Sequence, residues 1–356
     1  MYWTAYALLF ISLLITSCVN TVIESSKEFI GKPVPVSSLS RTYREVALLI
    51  RDESFYVSSN ERWERFMRCL DTQSSNGTYG SVDNDGMSRV NFVLKTCLPE
   101  DKKIKYFSPT WYKAQNACPD PDRRTPKEKI EEIRLSYRIM KHINTGYIPW
   151  RYIDYYGFSN MIPILRTFAR SNVDTVIFDM RYNPGGSVEN VESFLSFVLK
   201  GREAPYFIMR KSHRRTVEFS VNKDGEFSHF NIIVLVNKRS ASATEIIAGV
   251  LQRQGAVIIG ERTHGKGTVQ ESGILYFIDR NCPALLELTT RQVFFDDGKS
   301  LDGIGITPDI TVTNSEDALE KAIEYVSSRV KRRKYGLKYG FPRLPSTTSP
   351  SEASSG

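Results

Sequence analysis

The sequence predicts a mixed α/β fold in which buried strands alternate with amphipathic helices. An apolar run typical of a buried strand, residues 173–180, leads into a helix over 187–199 with one apolar face. A second apolar strand, residues 232–236, is followed by a helix and by another strand over 256–259. Successive strand–helix–strand units of this kind form parallel sheets covered by helices.

The first 20 residues have the composition of an export signal. The apolar run over residues 5–15 ends in Ile15-Thr16-Ser17-Cys18, which resembles a bacterial lipobox, whose cysteine becomes a lipidated first residue. The segment before the run has no Lys or Arg, so ordinary secretion or an uncleaved anchor stay open as alternatives. We expect residues 1–18 to be a signal peptide, Cys18 to be lipidated, and residues 19–40 to be a tether leading away from a membrane.

The middle of the chain divides into a helical region, a connector and a main domain. Apolar residues recur at helical spacing over 41–98, which predicts a small helical N-terminal region. Residues 99–141 are polar and proline-containing, and we expect an irregular connector there. The main domain covers 142–328 and includes a predicted hairpin over 216–227 that turns at Asp224-Gly225. A basic, low-complexity tail covers 329–356.

The net charge of +8 suggests nucleic-acid binding at first sight, but its distribution argues against it. Seven basic and no acidic residues lie between Tyr325 and Ser351, which leaves 41 basic against 40 acidic residues in the rest of the chain. The body is therefore close to neutral. We expect no nucleic-acid partner, and a tail that is disordered or contacts anionic lipid headgroups.

The chain has five cysteines, and with Cys18 set aside four remain, which allow three pairings. An exported chain can oxidise them, and Cys69–Cys97 or Cys97–Cys118 are the pairings that the sequence leaves open. Cys282 stands far from the other three. No cysteine has the spacing of a zinc site, so we predict no metal.

A serine and a lysine stand where consecutive predicted strands end. Ser242 lies in the run Ser-Ala-Ser-Ala-Thr-Glu, between a strand and a helix N-terminus whose free N–H groups can stabilise an oxyanion. Lys266 lies in a glycine-flanked loop after the next strand, and a neutral lysine can act as a base. A parallel strand–helix–strand unit brings the two together.

Other interpretations of this stretch stay open. Residues 260–266 match most of the phosphate-binding loop G-x-x-x-x-G-K-[ST], but Gly267 replaces the hydroxyl residue and a strand follows instead of a helix. The small residues around Ser242 also suit a tight turn with no catalytic role, with Lys266 solvated. His264 is an alternative base, but we interpret it as packing in or lining the cleft.

Four blocks, DMRYNPGG, SASATE, GERTHGKGTVQ and GKSLDGIGITPDI, resemble the tail-specific, or C-terminal-processing, serine peptidases in order and near spacing. The resemblance covers roughly residues 140 to 325. It implies a ClpP/crotonase-like α/β peptidase core over 142–328, a Ser–Lys dyad, and no cofactor. It implies that Ser242 is the nucleophile, that Lys266 is the general base, and that Gln270 orients the base. The N–H groups of Ala243 and of Gly185 or Gly186 would form the oxyanion hole. Ser240 is the nearest alternative nucleophile.

The family often carries a PDZ domain that captures a substrate C-terminus. The 43 residues of the connector are too few and too polar for one, so we expect cleavage at other exposed segments or a recognition partner in its place. The resemblance therefore implies an exported, membrane-attached serine endopeptidase of the cell envelope, facing the periplasm or the exterior, with protein or peptide substrates. The alternative is a catalytically silent or partner-dependent peptide- or ligand-binding protein on the same scaffold.

Overall fold

The computed structural model describes residues 41–57, 59–75, 87–107, 135–211, 216–275 and 284–334. The predicted signal peptide with Cys18, the tether, most of the connector and the tail after Lys334 lie outside these residues, as do Cys118 and Cys282. In the described parts, no helix combines the length and apolar character needed to cross a bilayer.

In chain order the described residues form α1 (Arg41–Glu53), α2 (Asn60–Ser75), α3 (Met87–Cys97), β1 (Lys105–Phe107), β2 (Arg138–Met140), β3 (Thr145–Pro149), α4 (Tyr155–Arg170), β4 (Thr175–Asp179), α5 (Val188–Val198), β5 (Arg202–Lys211), β6 (Thr216–Val221), β7 (Asn231–Val236), α6 (Ala243–Arg253), β8 (Val257–Gly260), β9 (Thr268–Leu275), β10 (Ala284–Phe295), β11 (Ile310–Thr311) and α7 (Ala318–Lys334). The chain divides into two compact units, Met1–Asp120 with Gln270–Thr290, and Pro121–Val269 with Arg291–Gly356.

The first unit contains the predicted helical region. Helices α1 to α3 present apolar residues at helical spacing, and the buried ones share a core with Tyr106 of β1 and Leu286 of β10. Cys69 of α2 and Cys97 of α3 form a disulfide, which is one of the two pairings that the sequence left open. The bridge closes a sequence separation of 28 residues, for which chain entropy alone gives a stabilisation of about 3–4 kcal/mol.

The second unit is built on a six-stranded sheet with the order β11-β8-β7-β4-β3-β2. The strands β3, β4, β7, β8 and β11 are parallel, and β2 is antiparallel at one edge. Because side chains alternate along a strand, Phe178 of β4 faces the core formed with α4, α5 and α6, whereas Ile177 joins the core formed with α7. The predicted α/β class is confirmed.

The ends of two predicted regions differ in the structure, and one local prediction, the hairpin over residues 216–227, was wrong. The connector contains the short strand β1 near its beginning and β2 near its end, each of only three residues. Helix α7 continues to Lys334, so the predicted tail begins as a helix. The predicted hairpin over residues 216–227 does not form. Instead β6 pairs with β5, and the N–H groups of Gly225 and Phe227 donate to carbonyl oxygens at the end of α5.

Candidate functional site

Ser242 occupies the turn between β7 and the first residue of α6. Its backbone has φ 58° and ψ −122°, a conformation that non-glycine residues rarely adopt and that costs on the order of 1–3 kcal/mol. Ser242 is partly exposed, whereas the nine residues that follow it are buried. The turn therefore presents one hydroxyl at the surface, at the positive end of the helix dipole.

Ser240, the alternative nucleophile, has a different environment. It is fully buried, and its Oγ donates to the carbonyl oxygen of Met180 at 2.9 Å. The same oxygen accepts from the backbone N–H of Asn237 at 2.9 Å. These two hydrogen bonds hold the start of the turn against the end of β4, and they give Ser240 a structural role.

The carboxylate of Glu245, on the first turn of α6, joins the serine turn to the lysine loop. Glu245 is fully buried, and its Oε2 accepts from the backbone N–H groups of Ser242 and Lys266, both at 2.8 Å. Its Oε1 accepts from the Gly265 N–H at 2.7 Å and from the Thr263 hydroxyl. Because one oxygen binds both amides, the backbones of Ser242 and Lys266 lie side by side, as the predicted strand–helix–strand unit requires.

Glu245 is a site residue for which the sequence motifs predicted no role. A signal was present, because Ser242 and Glu245 have the S-x-x-E spacing of a capping box, in which the glutamate returns to the N-cap amide. The capping bond to Ser242 could have been predicted from that spacing. The bonds to Gly265 and Lys266 could not, because they join residues 20 and 21 positions away.

The lysine loop is fixed by a second loop, residues 302–306. The Gly265 carbonyl accepts from the Gly303 N–H at 2.8 Å, and the Gly267 N–H donates to Asp302 Oδ1 at 3.0 Å. A Cβ on Gly267 would lie 2.4 Å from the Asp302 nitrogen, so only glycine fits there. These contacts hold the backbone of Lys266 on both sides of the residue. The phosphate-loop interpretation required a helix after this loop, and β9 follows instead.

His264 lies next to this loop with an exposed side chain. Its backbone N–H donates to the Ser240 carbonyl at 3.0 Å, which adds a further link between the lysine loop and the serine turn. The exposed side chain argues against packing of His264, and the alternative that it lines the cleft stays a prediction.

Gly185 and Gly186 both have positive φ, at 107° and 155°, in the loop that follows β4. Gly185 lies against the serine turn, because a Cβ added to it would be 2.9 Å from the Cβ of Ser242. Its N–H, however, already donates to Asn183 Oδ1 at 2.9 Å. Within the described part of the chain, the N–H groups of Gly186 and Ala243 meet no hydrogen-bond acceptor. Of the two glycines left open by the sequence, the geometry therefore favours Gly186 as an anion donor.

A buried ion pair, which the sequence analysis did not single out, supports the end of β4. Arg181 binds Asp179 through two hydrogen bonds, Nε to Oδ1 at 2.9 Å and Nη2 to Oδ2 at 2.8 Å. The Tyr147 hydroxyl also donates to Asp179 Oδ2 at 2.7 Å. Burial alone would raise the pKa of Asp179, but the hydrogen bonds from Arg181 and Tyr147 outweigh burial and hold that pKa below its ordinary value. The bond with Asp179 raises the pKa of Arg181.

We expect the ion pair of Asp179 and Arg181 to make the free energy of unfolding depend on pH in the acid range. A carboxyl with a lowered folded-state pKa stabilises the fold above its unfolded pKa of about 4, and this contribution is lost as the pH falls through the folded value. Asp179→Asn should cost about 3–5 kcal/mol at pH 7 and less at pH 3, because below the unfolded pKa the contribution of the ionised Asp179 to wild-type stability declines. Denaturant unfolding at both pH values measures this difference. Glu226→Gln, at the exposed pair with Arg166, is the control and should change little at either pH. An equal cost of Asp179→Asn at both pH values would contradict the prediction.

Gln270, the residue expected to orient the lysine, makes a hydrogen bond within the first unit. Its Nε2 donates to Thr289 Oγ1 at 3.2 Å, and that hydroxyl donates to the buried Asp101 Oδ1 at 2.9 Å. The predicted action of Gln270 on Lys266 stays a prediction. Among the described residues, no group of three or more His, Cys, Asp or Glu side chains is arranged to hold a metal ion.

Residues 144–312 match the family model of peptidase family S41. The chain is 27% identical over 217 residues to carboxyl-terminal-processing peptidase 3, chloroplastic, of Arabidopsis thaliana, which covers 58% of this chain and 41% of that protein. It is 38% identical over 137 residues to the carboxy-terminal-processing protease of Bartonella bacilliformis, which covers 38% of this chain and 30% of that protein. The chain thus spans less than half the length of these relatives.

Solved structures share the fold. A lipoprotein from Streptococcus agalactiae superposes with a TM-score of 0.57 at 18% identity, over 81% of this chain and 96% of that one. The photosystem II D1 C-terminal processing protease superposes with a TM-score of 0.58 at 14% identity, over 76% of this chain and 92% of that one. At these identities the likeness concerns the fold alone.

Proposed function

We propose, from the match of residues 144–312 to peptidase family S41, that this chain is a serine-type endopeptidase that cleaves exposed or unfolded polypeptide segments. The observation that carries the proposal is the double hydrogen bond of Glu245 Oε2, which holds the backbones of Ser242 and Lys266 together. The partial exposure of Ser242 adds support, because a nucleophile must reach its substrate.

In the proposed reaction the Ser242 Oγ attacks a peptide carbonyl carbon while Lys266 Nζ accepts the hydroxyl proton. The carbonyl oxygen becomes an oxyanion that accepts from the N–H groups of Gly186 and Ala243. When the tetrahedral intermediate collapses, the C–N bond breaks and Lys266 returns the proton to the leaving amine. Water then hydrolyses the acyl-enzyme by the same route. Gln270 has the proposed role of orienting the lysine.

We further propose that the protein is exported and attached to a membrane of the cell envelope through lipidated Cys18. The Cys69–Cys97 disulfide supports export, because disulfides form and persist in oxidising compartments outside the cytosol. Protein or peptide segments are the proposed substrates. A separate recognition partner would take the place of the PDZ domain that the connector is too short to supply.

The test is cleavage of unfolded casein by the full-length protein in detergent, followed by mass spectrometry from pH 6 to pH 10. A lysine base acts only when it is neutral, so we expect the rate to rise with pH. Lys266→Met should reduce the rate by at least ~1,000-fold. Lys238→Ala is the control, since this lysine is exposed at the start of the same turn, and it should retain activity.

Two outcomes would overturn the proposal. A wild-type protein that neither cleaves casein nor reacts at Ser242 with a fluorophosphonate would favour the catalytically silent binding protein. A rate that does not change with pH, or that survives in Lys266→Met, would exclude the lysine as base.

A further inference from the structure

Asn183, in the loop between β4 and α5, uses every polar group that it has. Its side chain is fully buried, with Oδ1 accepting from the Gly185 N–H and Nδ2 donating to the Trp150 carbonyl, both at 2.9 Å. Its backbone carbonyl accepts from the Ala241 N–H at 3.0 Å and from the Thr244 hydroxyl at 3.2 Å. One residue therefore joins the end of β3, the glycine loop and the serine turn.

The side-chain bond decides which way the glycine loop presents its amides. Since the Gly185 N–H is turned towards Asn183 Oδ1, the next amide in the loop, that of Gly186, is the one left without an acceptor in the described part of the chain. A Cβ on Gly186 would lie 1.9 Å from the Ile153 carbonyl oxygen, so the segment between β3 and α4 packs directly against this glycine. This contact holds the glycine loop on the side that faces Ile153.

The backbone carbonyl of Asn183 fixes the loop on the side of the serine. Its two donors lie on either side of Ser242, one residue before it and two residues after it. Thr244 is fully buried in the first turn of α6, and its hydroxyl donates to the glycine loop instead of to its own helix. The Ala243 N–H lies between these two anchored residues. The separation of the Gly186 and Ala243 amides is therefore set through Asn183.

We propose that Asn183 and Thr244 are positioning residues that hold the two N–H donors of the oxyanion hole at the separation that the transition state requires. The inference rests on the proposed peptidase function and deepens it. Oxyanion donors act when they lie about 2.7–3.1 Å from the developing charge, so small displacements between the two segments reduce the rate. Neither residue touches the substrate in this role. Each acts through the backbone amide that it places.

Thr244→Val tests the proposal with the least disturbance, because valine keeps the shape of threonine and loses only the hydroxyl. Thr244→Ser is the matched control, since it keeps the donor and loses a methyl group. The readouts are kcat and KM on casein-derived peptides, and inhibition by a peptide aldehyde with the sequence of a mapped cleavage site. The aldehyde carbon forms a bond with Ser242 Oγ, its oxygen becomes an oxyanion, and the serine proton passes to Lys266, so its affinity reports the oxyanion hole directly.

We expect Thr244→Val to lower kcat and aldehyde affinity together by about 10-fold or more, with KM changed less than about twofold. Thr244→Ser should restore both values. Asn183→Ala, measured where thermal unfolding shows it folded, should lower the same two values further.

Three results would overturn the proposal. Thr244→Val with a lower melting temperature but wild-type kcat and aldehyde affinity would show that the contact is structural only. Equal losses in Thr244→Val and Thr244→Ser would show that the hydroxyl is not responsible. A wild-type protein that neither cleaves casein nor binds the aldehyde would remove the proposed function itself, and with it this inference, and that result is distinguishable because it appears before any variant is made.

Discussion

Ser242→Ala is expected to reduce casein cleavage by at least ~1,000-fold without unfolding the protein. The substitution removes the proposed nucleophile and little else. The Ser242 hydroxyl is partly exposed, and the backbone N–H that binds Glu245 remains in alanine. The thermal unfolding midpoint should therefore stay close to that of the wild type, while the rate of cleavage measured by mass spectrometry falls to background.

Ser240→Ala supplies the matched control two residues away. It removes a buried hydroxyl and leaves the Asn237 N–H and the Met180 carbonyl without that partner, which costs about 1–3 kcal/mol of stability. Below its lowered melting temperature, Ser240→Ala should still cleave casein. The two variants thus have opposite profiles, one inactive and stable, the other active and less stable. If Ser240→Ala were the inactive one while Ser242→Ala cleaved normally, the assignment of the nucleophile would be wrong.

The parts of the fold that followed from sequence are those determined by local periodicity. Strand β4 is buried along its whole length, as its apolar run predicts, and helix α5 is buried on the face that helical spacing predicts, as Phe194 shows. The position of Ser242 at a helix N-terminus also followed from the change of periodicity along the chain. These features depend on neighbours within a few residues, so a single sequence contains the necessary signal.

The features of the fold and of the site that could not be predicted depend on contacts between residues that are distant in sequence. Asp224-Gly225 is a strong local turn signal, but Gly225 donates to the carbonyl of Leu199 at the end of α5, and this tertiary contact replaced the hairpin. The choice of Cys69–Cys97 depends on how two helices pack. The choice between Gly185 and Gly186 depends on the side chain of Asn183, which local spacing does not reveal.

Glu245 is the residue whose loss we expect to affect both stability and activity most. Four donors converge on its buried carboxylate, namely the N–H groups of Ser242, Gly265 and Lys266 and the hydroxyl of Thr263. Glu245→Ala removes the acceptor of all four, of which the Thr263 hydroxyl is buried and the three N–H groups are partly buried. A buried donor left without its partner costs about 1–3 kcal/mol, and because these donors share one site we expect a total near 4–5 kcal/mol.

Glu245→Gln removes the charge and one acceptor oxygen of the side chain while nearly keeping its volume. The amide keeps the size of the side chain but offers one acceptor oxygen, and its NH2 group faces donors that cannot accept. The single oxygen of the glutamine can therefore accept from two of the four donors, either the N–H groups of Ser242 and Lys266 or the donors of Gly265 and Thr263. We expect a loss of at least about 2 kcal/mol in denaturant unfolding and a fall in kcat of about 100-fold where the variant is folded, because two of the four contacts that hold the serine turn and the lysine loop in place are lost.

The control for this variant is Glu261→Gln, in the segment that follows β8, whose carboxylate accepts none of the four bonds. It should resemble the wild type in both measurements. A Glu245→Gln protein that unfolds at the wild-type denaturant concentration and cleaves casein at the wild-type rate would show that the two loops hold their positions without the carboxylate. In that case the contacts of residues 302–306 with the lysine loop, and of Ser240 with Met180, would have to be sufficient to align the serine with the lysine.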